Sequence, residues 1–74
     1  MYDVLWDWKK ELDGNSYIQV VGSNFDVRIA CEDHISCIND IVFIIRGSKN
    51  IEFAIPIYKI EFMKLHKIDG RNLL

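Results

Sequence analysis

The chain has 74 residues, half of them hydrophobic, and a formal net charge of −2. That is enough for one domain with a core, but so small a domain is marginal alone, and oligomerisation is a common remedy. A charge this close to neutral counts against a general nucleic-acid binder, which is usually basic, and no apolar window is long enough to cross a membrane as a helix.

The opening residues, MYDVLWDWKK, carry acids early and lack the apolar core of a secretion signal. A cytoplasmic protein is expected, and in that compartment the two cysteines are expected as free thiols. A slightly acidic head and a slightly basic tail could attract each other, within a chain or between copies.

Residues 1–14 predict a helix, followed by a sheet over 15–67 and a loose tail over 68–74. Met1, Val4, Leu5, Trp8 and Leu12 fall on one face at helical spacing. Asp3 suits the N-cap, and Gly14 suits a left-handed residue that ends the helix. Tyr2 and Trp6 lie four apart on the flank of that stripe. They form either a contact patch for a protein partner or a second buried side of the helix.

Tyr17–Val21 predicts a first strand, and Gly22-Ser23-Asn24 a turn. Phe25, Val27, Ile29 and Cys31 alternate with polar or small residues, so a second strand is expected with these four facing in. Asp33-His34 turns the chain, Ile35–Ile38 is a possible short strand, and Asn39-Asp40 is a turn or a bulge. Ile41–Ile45 is an unbroken β-branched and aromatic run, which predicts a strand covered on both faces. Arg46–Asn50 suits a hairpin loop. Ile51, Phe53 and Ile55 alternate as a further strand, and Pro56 marks an edge, a bulge or its end. Beyond Pro56 the apolar phase moves to Tyr58, Ile60 and Phe62. A bend over Pro56–Lys59 and a last strand from about Ile60 to His66 are therefore expected. The fold class is mainly β with one N-terminal helix, built as a small, strongly bent antiparallel sheet or barrel. Ile60–Leu65 would then present an unpaired apolar edge, which self-pairing would cover.

Cys31, His34 and Cys37 are zinc-ligand types, with His66 far downstream, but a zinc site usually pairs two short-spaced couples and only one cluster is present. Cys37 with either histidine lacks an orienting third group and an oxyanion hole. The carboxylates are scattered, and no glycine-rich phosphate loop exists. No metal, no cofactor and no enzymatic activity are expected. His34, Arg46 and Lys49 could converge if the sheet curls, with an imidazole stacking on a base and a guanidinium holding a phosphate or base edge. The alternative is that Arg46 and Lys49 are solvated turn residues.

The order of these elements resembles the Sm-like family, which includes the Hfq type. Asp33-His34-Ile35-Ser36 is similar to that family's acidic–variable–hydrophobic–Asn pattern, with Ser36 in place of Asn. Ile44-Ile45-Arg46-Gly47-Ser48, followed by Ile51–Pro56, is similar to its apolar strand ending in Arg/Lys-Gly. A second register sets Tyr58-Lys59 against the Tyr-Lys pair of the Hfq type, with Ile60 in place of His. The chain departs from the family at Asp26, where a glycine is usual, and the segment between Asp33 and Arg46 looks too short for two full strands with a loop. The resemblance implies a small (SH3/Sm-like) oligomeric barrel that binds single-stranded RNA or a nucleotide, with His34, Ser36 and Arg46 in its pocket. The competing expectation is a protein-interaction module, such as a small inhibitor or adaptor from a phage or other mobile element, that uses Tyr2 and Trp6 or a sheet edge.

Overall fold

A computed structural model describes residues 2–47 and 50–67. One helix, α1 (Tyr2–Lys10), precedes six strands: β1 (Ser16–Gly22), β2 (Phe25–Ala30), β3 (His34–Ile38), β4 (Ile41–Arg46), β5 (Asn50–Pro56) and β6 (Phe62–Lys67). A 3-10 turn, Ile57–Lys59, lies between β5 and β6. The strands form two antiparallel three-stranded sheets in the orders β2-β1-β6 and β3-β4-β5. The mainly β class with one helix is thus as expected. The strands do not close into one hydrogen-bonded barrel. The sheets are instead joined by the short corner Cys31–Asp33.

Alternation explains which faces meet. Ile18 and Val20 of β1 and Val27 and Ile29 of β2 are buried, as are Ile35 of β3, Val42 and Ile44 of β4 and Ile55 of β5. Leu5 of α1 and Ile60 complete this core. Each such side chain contributes roughly 1.5–3 kcal/mol by leaving water. The central run of β4 is fully buried on one face only, since Ile41, Phe43 and Ile45 on the other are half-exposed. Cys31, expected to face in from β2, lies beyond the strand's end and is half-exposed.

Several local expectations are corrected. The helix ends at Lys10, where Glu11 and Leu12 donate back to the carbonyls of Trp8 and Lys9, so the last turn tightens. Gly14 is not in the left-handed region; Gly47 is the glycine with positive φ among the described residues. Val4 is 44% exposed and does not belong to the inner stripe. The segment after Asp33 does hold two full strands, because Asn39 and Asp40 adopt φ of 53° and 61° and close a two-residue hairpin between Ile38 and Ile41. Consecutive positive φ is the geometry that matches the twist of the flanking strands.

The strand after Pro56 is also placed differently. Ile60 is a core residue before β6, whereas Tyr58 and Phe62 are exposed. Met63 and Leu65 are the residues of β6 that pack on the core. The 3-10 turn carries the chain from one sheet to the other. Ile57 donates to the Asp40 carbonyl at 2.8 Å, and Glu61 donates to the Val21 carbonyl at 2.8 Å. β6 then pairs with β1 from Val21 to Ser16. The expected loose tail lies outside the described residues. Among those residues, no helix is long and apolar enough to cross a membrane.

Asp13 organises the link from α1 to β1. Its carboxylate accepts from the Asn15 N–H at 2.8 Å and the Ser16 hydroxyl at 3.0 Å. The Asn15 bond first, then the Ser16 bond, hold its pKa below the ordinary carboxylate value. A lowered folded-state pKa stabilises the fold above the unfolded value and ceases to do so as pH falls through the folded value. Asp13→Asn is therefore expected to flatten the acid limb of a stability–pH curve below about pH 4, measured by thermal melts.

Gly22 gives the sharper test. A Cβ there would enter the Phe25 ring and lie 2.6 Å from the carbonyl oxygen of Lys59, so backbone would have to move. Gly22→Ala is expected to destabilise the protein by roughly 1–3 kcal/mol, read from urea denaturation.

Candidate functional site

The corner between the sheets is built from Asp33 and Arg46. Asp33 is buried; its N–H donates to the Ala30 carbonyl at 3.1 Å, and its carboxylate accepts from the Ala30 N–H at 2.8 Å. The same oxygen, Oδ2, accepts from Arg46 Nε at 3.2 Å. Arg46 Nη2 donates to the Arg28 carbonyl, and the guanidinium lies over the Phe53 ring, 5.4 Å from its centroid. Lys9 of α1 donates to the Cys31 carbonyl at 3.0 Å, so the helix is tied to the same corner.

The two short sequence patterns therefore do meet. His34 stands opposite Ile45 and Ser36 opposite Phe43. His34 and Ser36 share the outward face of β3, because Ile35 between them is buried; His34 is exposed and Ser36 half-exposed. Arg46 sits beside them, yet its guanidinium is directed into the corner rather than out of it. Lys49 lies outside the described residues, as does the Tyr2 side chain. Trp6 is 43% exposed on α1.

The outward face of the second sheet is mostly apolar. Ile38 is 57% and Ile51 61% exposed, and Ile41, Phe43 and Ile45 lie between them, half-exposed. The register slips between Ile44 and Ile45, which leaves Glu52 as the extra residue of a bulge at the β5 edge.

The outward face of the first sheet differs in chemistry, and sequence reading did not assemble it. Tyr17 stands opposite His66, and their rings stack with centroids 4.5 Å apart and planes 9° from parallel. Arg28 lies over Tyr17, 5.0 Å from its centroid. Gln19 Nε2 is 3.0 Å from both oxygens of Asp26, and Gln19 Oε1 is 2.8 Å from His66 Nε2. A carboxylate only accepts, so the Gln19 amide nitrogen must be the donor and its oxygen the acceptor. His66 therefore carries a proton on Nε2 and turns Nδ1 outward from this bond. The one available signal was the period-two spacing of Tyr17 and Gln19 in one strand and of Lys64 and His66 in another.

Among the described residues, no group of three or more His, Cys, Asp or Glu is placed to hold a metal ion. The Cys31 thiol donates to Glu32 at 3.3 Å. That bond, with desolvation, pushes its pKa above the ordinary thiol value, which disfavours thiolate chemistry at neutral pH. A cavity of about 220 Å³ opens between Ser23-Asn24-Phe25 and Ala54–Pro56 with Lys59. It is smaller than the roughly 300–1,000 Å³ of drug-sized sites.

Asp33→Ala is expected to lower stability by about 2 kcal/mol, since it strands the Ala30 N–H and the Arg46 guanidinium. The Arg46 side chain is 32% exposed, so water offsets part of the loss. For a domain of this size the melting temperature should fall by on the order of 10 °C, and Arg46→Ala should act in the same direction. A melting temperature unchanged in both variants would remove the corner's structural role.

No protein-family model, no curated protein and no solved structure matches this chain significantly.

Proposed function

We propose that the protein binds single-stranded RNA or a nucleotide as a small oligomeric, Sm-like module, with His34 and Ser36 on its contact face. The observation that carries this reading is the Asp33–Arg46 ion pair, which sets the two family-like patterns side by side and leaves the His34 imidazole exposed beside them. Arg46 enters this reading as an anchor for the face rather than as its main ligand contact. Self-association would use the open edge of β5, where Asn50, Ile51, Glu52 and Ala54 are exposed.

A second reading rests on a different observation. The apolar outward face from Ile38 to Ile51, in a chain of net charge −2, favours a protein-interaction module. In that reading Trp6, exposed on α1, would add a further contact.

His34→Ala separates the two. If an imidazole stacks on a base, its loss should weaken binding to a labelled single-stranded RNA by about tenfold at low salt, without lowering the melting temperature. Ile38→Ser with Ile51→Ser should leave that affinity unchanged and abolish any protein contact. Absence of RNA and nucleotide binding by the wild type at low salt would end the first reading.

A further inference from the structure

The first sheet carries a second constellation that neither reading uses. β6 is an edge strand; among the described residues it pairs with β1 alone. Phe62, Lys64 and His66 share its outward face, since Met63 and Leu65 between them pack on the core. Along one strand edge the face thus presents an aromatic ring, an ammonium and an imidazole, each two residues apart, or about 6.8 Å.

Behind this edge, His66 is held rather than loose. Tyr17 stacks on one of its faces and Gln19 fixes its Nε2. Because β2 and β6 flank β1 on opposite sides, Arg28 and His66 approach Tyr17 from opposite sides and form the row Arg28–Tyr17–His66. The row ends at His66, where the sheet ends. Among the described residues, no further strand pairs with β6 on the side of His66 turned away from Tyr17.

The charge of this face also differs from that of the whole chain. Arg28 and Lys64 stand against Asp26, and Asp26 is engaged by Gln19. The face is locally cationic on a protein of net charge −2. Stacking surfaces next to cations suit a planar base attached to a phosphate, and they do so without sequence readout.

We propose that the β6 edge is a nucleotide-binding face on which a base continues the Arg28–Tyr17–His66 stack, with Lys64 against the neighbouring phosphate and Phe62 taking a further base. The ligand chemistry is a nucleobase with its phosphate, supplied either by a free nucleotide or by single-stranded RNA. A free nucleotide would engage His66 and Lys64 only; a single strand would also engage Phe62. This deepens the nucleotide-binding reading but rests on residues of the other sheet, so the two sites fail independently.

The chain contains two histidines, His34 and His66, one on each face. Their imidazole proton resonances therefore report the two faces separately. Adenosine monophosphate, and then a short single-stranded oligoadenylate RNA, is titrated into the labelled full chain at low salt. The expected result is a saturable upfield ring-current shift of the His66 signals. Lys64→Ala should weaken both ligands several-fold and reduce the salt dependence of RNA binding. Phe62→Ala, at a position 51% exposed and so safe for the fold, should weaken RNA by about tenfold and leave the mononucleotide unchanged. If only His34 shifts, the β3 face binds and the β6 proposal is overturned. If only His66 shifts, the β6 face stands and the role given to His34 falls. If neither signal moves with either ligand, both are overturned. Equal loss of the mononucleotide and of RNA in Phe62→Ala would overturn the division of roles along the edge.

Discussion

A single carboxylate, Asp33, sits where the chain must change direction between its two sheets. Only Cys31–Asp33 separates β2 from β3, so the inner faces of the two sheets can oppose each other only if the chain turns sharply there. Asp33 satisfies the Ala30 N–H that the turn would otherwise strand, and it accepts from Arg46 at the far end of β4. Arg46 in turn reaches the Arg28 carbonyl on β2 and the Phe53 ring on β5, while Lys9 brings α1 to the Cys31 carbonyl. The hydrophobic core supplies most of the free energy, but it is non-directional. The charged corner supplies the direction, and buried polar networks of this kind specify one arrangement only when every member is satisfied.

The same corner decides how the outward faces can be used. Arg46 cannot both anchor the corner and swing to a ligand without leaving Asp33 unpaired. Its neighbours on β3, His34 and Ser36, are held by the ladder to β4 and depend on the corner only for position. The two outward faces then divide by chemistry: the β3-β4-β5 face is mostly apolar with one imidazole at its rim, whereas the β2-β1-β6 face is an ordered stack of rings and cations. The apolar surface suits a protein or a second copy of the chain, while the exposed imidazole at its rim and the stacked rings of the other face suit planar ligands. A protein of this size could engage one of each at once, because the sheets turn these faces in different directions from a shared core.

Much of the fold was legible in residue order. Period-two alternation over Phe25–Ala30 marked β2 and the inward side of Val27 and Ile29, and Pro56, read as an edge, a bulge or a strand's end, closes β5. What escaped depended on geometry that alternation does not encode. The Asn39-Asp40 hairpin lacks the glycine that usually announces consecutive positive φ, so the segment between Asp33 and Arg46 looked too short for two full strands with a loop. Beyond Pro56, hydrophobicity alone set Tyr58, Ile60 and Phe62 together, although only Ile60 reaches the core. The family-like patterns set His34, Ser36 and Arg46 in one pocket, but gave neither the pairing of Arg46 with Asp33 nor the internal use of the guanidinium. The Tyr17–His66 stack was invisible, since it joins the first strand to the last and exists only because β6 returns to β1.

The central claim is that the Asp33–Arg46 corner, rather than core burial alone, fixes one sheet upon the other. Native-state hydrogen exchange tests it most directly. In the wild type the amides of Ala30, Val20 and Ile44 should exchange with similar free energies, because both sheets open together. In Asp33→Asn, which keeps the shape and removes the charge, Ala30 should lose most of its protection, and Ile44 should open at lower free energy than Val20 as the sheets uncouple. Retention of equal, near-global protection at all three amides in the variant would contradict the account.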